Sequence, residues 1–188
     1  MENQNLAAAE ALGRLKEGNR RYLSASSNPG NISPEIRHET CENGQKPYAT
    51  IITCADSRVI PEGIFSAGIG ELFVIRVAGN VIGTLQLGSV EYAADHLGCG
   101  LVVVLGHTHC GAVGAALGHA PEGYVKCITD EIKKAIGSEQ DELRACKLNV
   151  KRSVAVIKAN LKELSAAGKL TVVGAVYNID SGAVEFLD

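Results

Sequence analysis

Four continuous apolar runs constrain the fold of this chain more than any other feature of its sequence. Each is short and rich in β-branched residues, and they occupy residues 48–53, 72–77, 101–105 and 170–176. Runs of this kind are typical of strands that are buried on both faces of a parallel sheet. A fifth segment, residues 183–187, is predicted to be a short last strand at the edge of that sheet.

Helical segments separate the apolar runs. An amphipathic pattern predicts a helix over residues 6–24, whereas residues 25–47 are rich in Ser, Asn, Pro and Gly and are predicted to form a loop. Further helical patterns cover residues 83–97, 111–117, 122–136 and 141–166. Because strands alternate with helices, we expect an α/β fold in which helices flank a mainly parallel central sheet.

Length and composition limit the class of protein. With 188 residues, the chain fits a single domain over residues 1–188, in which residues 1–47 form an N-terminal helix and arm. No apolar run approaches the ~20 residues that cross a bilayer, so no membrane partner is expected. A net charge of −3 and only 4% aromatic residues, with no Trp, argue against a nucleic-acid partner.

The N-terminus and the cysteines bear on the cellular location. The first residues lack the basic and apolar segments of a secretory signal. Six cysteines are scattered through a chain that is long enough to fold without disulfides. We therefore expect a cytoplasmic protein whose cysteines are core residues or metal ligands.

Two polar clusters follow the ends of predicted strands. The first apolar run leads into Cys54-Ala-Asp-Ser-Arg58, and the third leads into His107-Thr-His-Cys110-Gly111. In open α/β sheets, ligands bind beyond the carboxyl ends of the strands. We therefore expect both clusters at one functional edge of the sheet.

Cys54, His107 and Cys110 have the side chains that zinc prefers. Three protein ligands leave one position open for water, as in catalytic sites, whereas a structural site has four protein ligands. A closed site would need a further ligand from elsewhere, such as His109 or Cys127. A catalytic metal site is the favoured interpretation, and buried cysteines beside an ordinary loop histidine are the alternative.

Asp56 and Arg58 lie beside the first predicted ligand. Two residues apart in an extended segment, they would point to the same side and could form a bidentate pair. We interpret Arg58 as holding Asp56 beside the metal, and a surface salt bridge in a turn is the alternative. The backbone amide of Gly111, at a helix start, would favour an anionic product, and Gly79 indicates a close approach of backbone to the site.

These motifs resemble those of the β-class carbonic anhydrases. The resemblance covers most of the chain and rests on Cys54-x-Asp56-Ser57-Arg58 together with His107-x-x-Cys110-Gly111. It implies one Zn²⁺ per chain, held by the two cysteines and the histidine, with the Asp–Arg pair as the catalytic dyad. It also implies a homodimer or homotetramer in which the N-terminal helix wraps a neighbouring subunit.

The resemblance also implies a substrate pocket of the plant-like type, in which the zinc keeps its water. Gln45, Phe73 and Tyr92 match the pocket positions, and the Trp of the other type is absent from the chain. Ala78 stands where the family pattern has Val, so the pocket is expected to be less tight there. In the resembling dimers, Gln45 serves the zinc of the partner subunit.

The function that the resemblance implies is the reversible hydration of carbon dioxide to bicarbonate and a proton, by attack of zinc-bound hydroxide. Catalytic zinc lowers the pKa of water from about 15.7 to about 7, which is worth roughly 12 kcal/mol. Side-chain hydrogen bonds do not supply that much. Hydrolysis of carbonyl sulfide or carbon disulfide, and non-catalytic binding of zinc or bicarbonate, remain the alternatives.

Overall fold

A five-stranded sheet organises the chain, in a computed structural model that describes residues 6–28, 30–118 and 121–187. Its strands are β1 (Ala49–Thr53), β2 (Leu72–Arg76), β3 (Leu101–His107), β4 (Thr171–Tyr177) and β5 (Val184–Leu187). Their order is β2-β1-β3-β4-β5; the first four are parallel and the edge strand β5 is antiparallel. The predicted α/β fold with a mainly parallel sheet is confirmed.

Eight helices surround the sheet in the described part of the chain. They are α1 (Ala8–Ser24), α2 (Pro34–Asn43), α3 (Pro61–Ile64), α4 (Thr84–Asp95), α5 (Gly111–Leu117), α6 (Val125–Ile136), α7 (Glu142–Asn160) and α8 (Lys162–Ala166). A short 3₁₀ turn, Ala78–Asn80, follows β2. None of the described helices has the length and apolar character needed to cross a membrane.

Both faces of the sheet are buried, which explains why the strands are continuous apolar runs. In β1, Ile51 packs into the cluster beneath α1 and α3, whereas Ile52 packs into the cluster beneath α4 and α7. Adjacent residues of a strand point to opposite faces. An alternating pattern would therefore have left polar groups in one of the two cores.

Helix α1 contacts α3 closely through a glycine and an asparagine. A Cβ atom at Gly18 would lie 1.9 Å from the carbonyl oxygen of Phe65, so only glycine allows this approach. The next residue, Asn19, donates from Nδ2 to the carbonyl oxygens of Ile64 (3.2 Å) and Gly182 (3.0 Å). These contacts fix the N-terminal helix against α3 and the turn before β5 of its own chain. Residues 1–5 of the predicted arm lie outside the described residues.

The predicted loop over residues 25–47 is wrong for its second half, which contains α2. Ser33 is the N-cap and accepts a hydrogen bond from the amide of Ile36, and Pro34 occupies the first helical turn. Ser and Pro at these positions start a helix. Because Ser and Pro are also common in loops, the composition of this segment by itself wrongly predicts a loop. The predicted helix over 141–166 is also divided in two, at Leu161.

Candidate metal centre

The carboxyl ends of β1 and β3 bring the three predicted metal ligands together. The two strands are neighbours, with Thr53 of β1 in register with Leu105 of β3. Cys54 directly follows β1, His107 is the last residue of β3, and Cys110 directly precedes α5. The site therefore lies at the sheet edge where α/β folds bind ligands.

The three ligand atoms form a compact, buried group. The sulfur atoms of Cys54 and Cys110 are 4.0 Å apart, and all three ligand atoms lie within 4.8 Å of one another. The side chains are at most 5% exposed. Tetrahedral zinc with Zn–S distances near 2.3 Å would separate two sulfur atoms by about 3.8 Å. The site thus fits zinc in both its spacing and its donor types.

The histidine is oriented to bind a metal through Nε2. Its Nδ1 atom lies 2.9 Å from the carbonyl oxygen of Thr108, and a hydrogen bond there leaves a lone pair on Nε2. Nε2 of His107 is buried and has no hydrogen-bond partner among the described residues. A buried polar atom without a partner is costly, and coordination of a metal removes that cost.

The alternative of a closed structural site does not gain support. The metal-ligating group found among the described residues contains three side chains and no fourth. The ring of His109 lies instead 3.7 Å from a carboxylate oxygen of Glu142, and Cys127 is exposed. Among the described residues, neither candidate for a fourth ligand joins the group.

The environment of Cys54 favours its thiolate. Hydrogen bonds from the Cys110 thiol and from the backbone amide of Gly79 hold the pKa of the Cys54 thiol below its usual value. The Gly79 nitrogen is 3.2 Å from the sulfur. The same hydrogen bond to Cys54, together with burial, raises the pKa of Cys110. The pair thus stabilises a thiolate, which is the form of cysteine that binds a metal.

Asp56 and Arg58 form a bidentate pair beside these ligands. Arg58 donates from Nε to Oδ1 (2.9 Å) and from Nη2 to Oδ2 (2.7 Å), and its backbone amide also donates to Oδ1 (3.0 Å). The segment is therefore a turn, and the extended conformation expected from the sequence is wrong. Arg58 holds the pKa of the Asp56 carboxyl well below its usual range. Oδ2 lies 4.0 Å from Nε2 of His107.

The site also uses residues that sequence analysis did not single out. Arg76 donates to the backbone carbonyl oxygens of Cys54 (3.1 Å) and Asp56 (2.6 Å), which fixes the loop after β1. From α7, Asn149 and Ser153 donate to backbone carbonyls of the 3₁₀ turn. Their one sequence signal is that polar residues occur four apart on the otherwise apolar face of α7.

The predicted pocket residues divide into two groups. Ala78 and Gly79 lie in the turn beside Cys54, and Gly111 begins α5 directly after Cys110. By contrast, Gln45 precedes the amino end of β1. The five residues of that strand separate it from the metal ligands by roughly 16 Å.

Phe73 and Tyr92 are the other distant pocket residues. Phe73 is in register with Thr50, four residues before the first ligand. The two rings pack against each other with centroids 6.1 Å apart. One chain by itself therefore does not assemble the complete predicted pocket.

The sequence matches a known family over most of its length. The carbonic anhydrase family model matches residues 49–184, which include every residue of the metal group. The chain belongs to the carbonic anhydrase family. Carbonic anhydrase 2 of Mycobacterium tuberculosis is 39% identical, and the match covers 100% of this chain and 96% of that protein.

Solved structures place this carbonic anhydrase in the β-class. The β-carbonic anhydrase CafA of Aspergillus fumigatus is 29% identical, with a TM-score of 0.74 over 96% of this chain and 90% of that one. A tetrameric β-carbonic anhydrase of Sordaria macrospora is 25% identical, with a TM-score of 0.71 over 81% and 91% of the two chains. Zinc is accordingly the cofactor that Cys54, His107 and Cys110 hold.

Proposed function

We propose that this chain hydrates carbon dioxide reversibly at the zinc centre of Cys54, His107 and Cys110. The observation that carries the proposal is a buried Cys₂His group with an ionised carboxylate, Asp56, 4.0 Å from the histidine nitrogen. A purely structural zinc does not need such a carboxylate. Family membership supports the same reaction.

The residues around the metal perform separate tasks. Zinc held by Cys54, His107 and Cys110 would make water acidic enough to supply hydroxide near neutral pH. Oδ2 of Asp56 is placed to accept a hydrogen bond from the attacking oxygen and would so orient it toward carbon dioxide. Arg58 keeps the carboxylate ionised and therefore an acceptor only. Attack on carbon dioxide would form the new C–O bond of bicarbonate, and the proton lost by water would pass to buffer.

The plant-like site, in which the zinc keeps its water, is part of the proposal. Two observations support it: both oxygens of Asp56 are engaged by Arg58, and the chain has no Trp. Ala78 and the amide of Gly111 border the metal group on the same chain. We assign Ala78 to the apolar wall of the carbon dioxide pocket, and we assign the amide of Gly111 to the binding of an oxygen of bicarbonate.

The remaining pocket residues are proposed to come from a second subunit. Gln45 precedes β1, and Phe73 lies on β2 in register with Thr50, four residues before Cys54. Tyr92 lies on α4 and packs against Phe73, so all three are away from the metal group of their own chain. A homodimer, or a homotetramer built from two dimers, would bring them to the partner's zinc. The Sordaria relative is tetrameric. We further propose that the protein is cytoplasmic, since its described cysteines are all free thiols.

Stopped-flow carbon dioxide hydration from pH 6.5 to 9 tests the proposed reaction. Two thiolates cancel the formal charge of Zn²⁺, so the metal should acidify water less than it does with three neutral histidines. We therefore expect a zinc-dependent rate that rises between about pH 7 and 9. No rate above that of the zinc-free protein would contradict the proposal, and carbonyl sulfide or carbon disulfide hydrolysis would then be assayed.

A further inference from the structure

We propose that Asn149 and Ser153 of α7 are positioning residues for the metal ligand Cys54. They hold the Ala78–Asn80 turn in the conformation that points the amide of Gly79 at the Cys54 sulfur. The inference rests on the proposed zinc centre. The two side chains act through the backbone of the turn and touch neither the metal nor the substrate.

The turn has a conformation that it would not adopt readily by itself. Gly79 and Asn80 both have positive φ, +68° and +45°, and such values are uncommon for a residue with a side chain. A Cβ atom at Gly79 would also lie 2.8 Å from Cδ1 of Ile132 and 3.0 Å from Cβ of Ala112. Strain of this kind persists only where the surrounding structure fixes it.

Helix α7 supplies that restraint through two hydrogen bonds. Nδ2 of Asn149 donates to the carbonyl oxygen of Gly79 at 2.7 Å, and Oγ of Ser153 donates to the carbonyl oxygen of Asn80 at 3.0 Å. Both side chains are at most 4% exposed. With the two carbonyls directed at α7, the amide nitrogen of Gly79 lies 3.2 Å from the Cys54 sulfur.

The consequence lies in the electronic state of the ligand. A hydrogen bond to a thiolate withdraws electron density from the sulfur and holds the sulfur in position. Without that hydrogen bond, the sulfur donates more electron density to a metal but is less well placed to bind it. Partners of metal ligands commonly change affinity by about 10–100-fold when they are removed. A merely structural role for Asn149 and Ser153 would leave the ligand's electronic state unchanged.

Co²⁺ in place of zinc provides the decisive readout. In the full-length protein, the sulfur-to-cobalt charge-transfer band should move to longer wavelength in Asn149→Leu, which keeps the side-chain shape but removes the donor. Zinc affinity, measured by competition with a chelating dye, should fall about tenfold. If Asn149→Leu does not fold, Ser153→Ala decides: it should show a smaller shift, and Ser153→Thr should retain the wild-type band.

Asn19→Leu is the matched control. Asn19 is equally a buried asparagine that donates to backbone carbonyls, but it lies on α1 and its partners are Ile64 and Gly182. Its replacement should lower stability and leave the band and the zinc affinity unchanged. The inference is overturned if folded Asn149→Leu keeps the wild-type band, or if Asn19→Leu shifts it equally. Wild-type protein without a thiolate band would instead overturn the zinc centre itself.

Discussion

At the scale of single residues, the Asp56–Arg58 pair supports the proposal that the zinc centre is catalytic and not purely structural. A carboxylate near a metal could bind it and close the open position. Here Arg58 engages both oxygens of Asp56, so the carboxylate stays beside the metal group as a hydrogen-bond acceptor. In the proposed mechanism, the pair keeps a coordination position free for the reacting water.

Replacing Arg58 by Gln should lower the carbon dioxide hydration rate about 10–100-fold. It should also raise the pKa of Asp56, because the guanidinium is the main cause of its depression. A carboxyl with a depressed pKa stabilises the fold above its unfolded pKa of about 3.9 and loses that contribution as pH falls. The stability difference between Arg58→Gln and wild type should therefore be present at pH 7 and disappear in acid.

The rate is measured by stopped flow, the pKa by NMR titration of the carboxyl carbon, and stability by urea unfolding. Arg20→Gln is the control, since Arg20 forms an exposed ion pair with Glu17 on α1. A wild-type rate in Arg58→Gln would contradict the role given to the pair.

The sequence reveals the metal ligands but not the residues that support them. Cys54, His107 and Cys110 are recognisable because each has metal-binding chemistry and each lies next to a strand end. Asn149 and Ser153 are ordinary polar residues that do not by themselves indicate a role at a metal site. Their hydrogen-bond partners are 70 and 73 positions away in the chain. Only the packing of α7 on the turn brings them there.

At the scale of elements, the apolar runs predict strand positions well and strand ends less well. β3 continues through Gly106 and His107, two residues beyond its apolar run, because both pair with β4. A glycine and a histidine interrupt the apolar pattern but not the backbone ladder. The apolar pattern does not predict α2, because none of the residues of this helix is buried. Only its start is marked in the sequence, by a Ser N-cap followed by Pro.

Helix α1 offers a matched pair of glycine substitutions. Gly18→Ala places a methyl group against the carbonyl of Phe65 and should destabilise the protein by about 1–3 kcal/mol, as overpacking does. Gly13→Ala, in the same helix with nothing within 4 Å of the new atom, should stabilise it by up to about 1 kcal/mol. Urea unfolding compares the two, and equal effects would contradict the close packing of α1 on α3.

At the scale of the whole molecule, a subunit-complementation experiment tests the proposed shared site. Gln45→Ala and Cys54→Ala should each be impaired alone. A mixed dimer has one site with intact ligands and an intact partner glutamine. Refolding equal amounts together should therefore restore about a quarter of the wild-type rate, since half of the dimers are mixed and one of their two sites is complete.

Cys54→Ala mixed with His107→Ala is the control for complementation. Both variants damage the ligand set of their own chain, so no site in their mixed dimer is complete and no rate should appear. A rate for the glutamine mixture that equals the average of its separate components would contradict the two-subunit pocket.

The most direct test of the zinc-dependent hydration compares two buried cysteines. Cys54 is a proposed ligand, whereas Cys146 belongs to the same apolar cluster and has a pKa raised to about 11 by burial. Zinc content and stopped-flow hydration rate are measured for the wild type, Cys54→Ala and Cys146→Ala. We expect one zinc per chain and a fast rate in the wild type and Cys146→Ala, and loss of both in Cys54→Ala. Zinc and activity retained by Cys54→Ala would contradict the account.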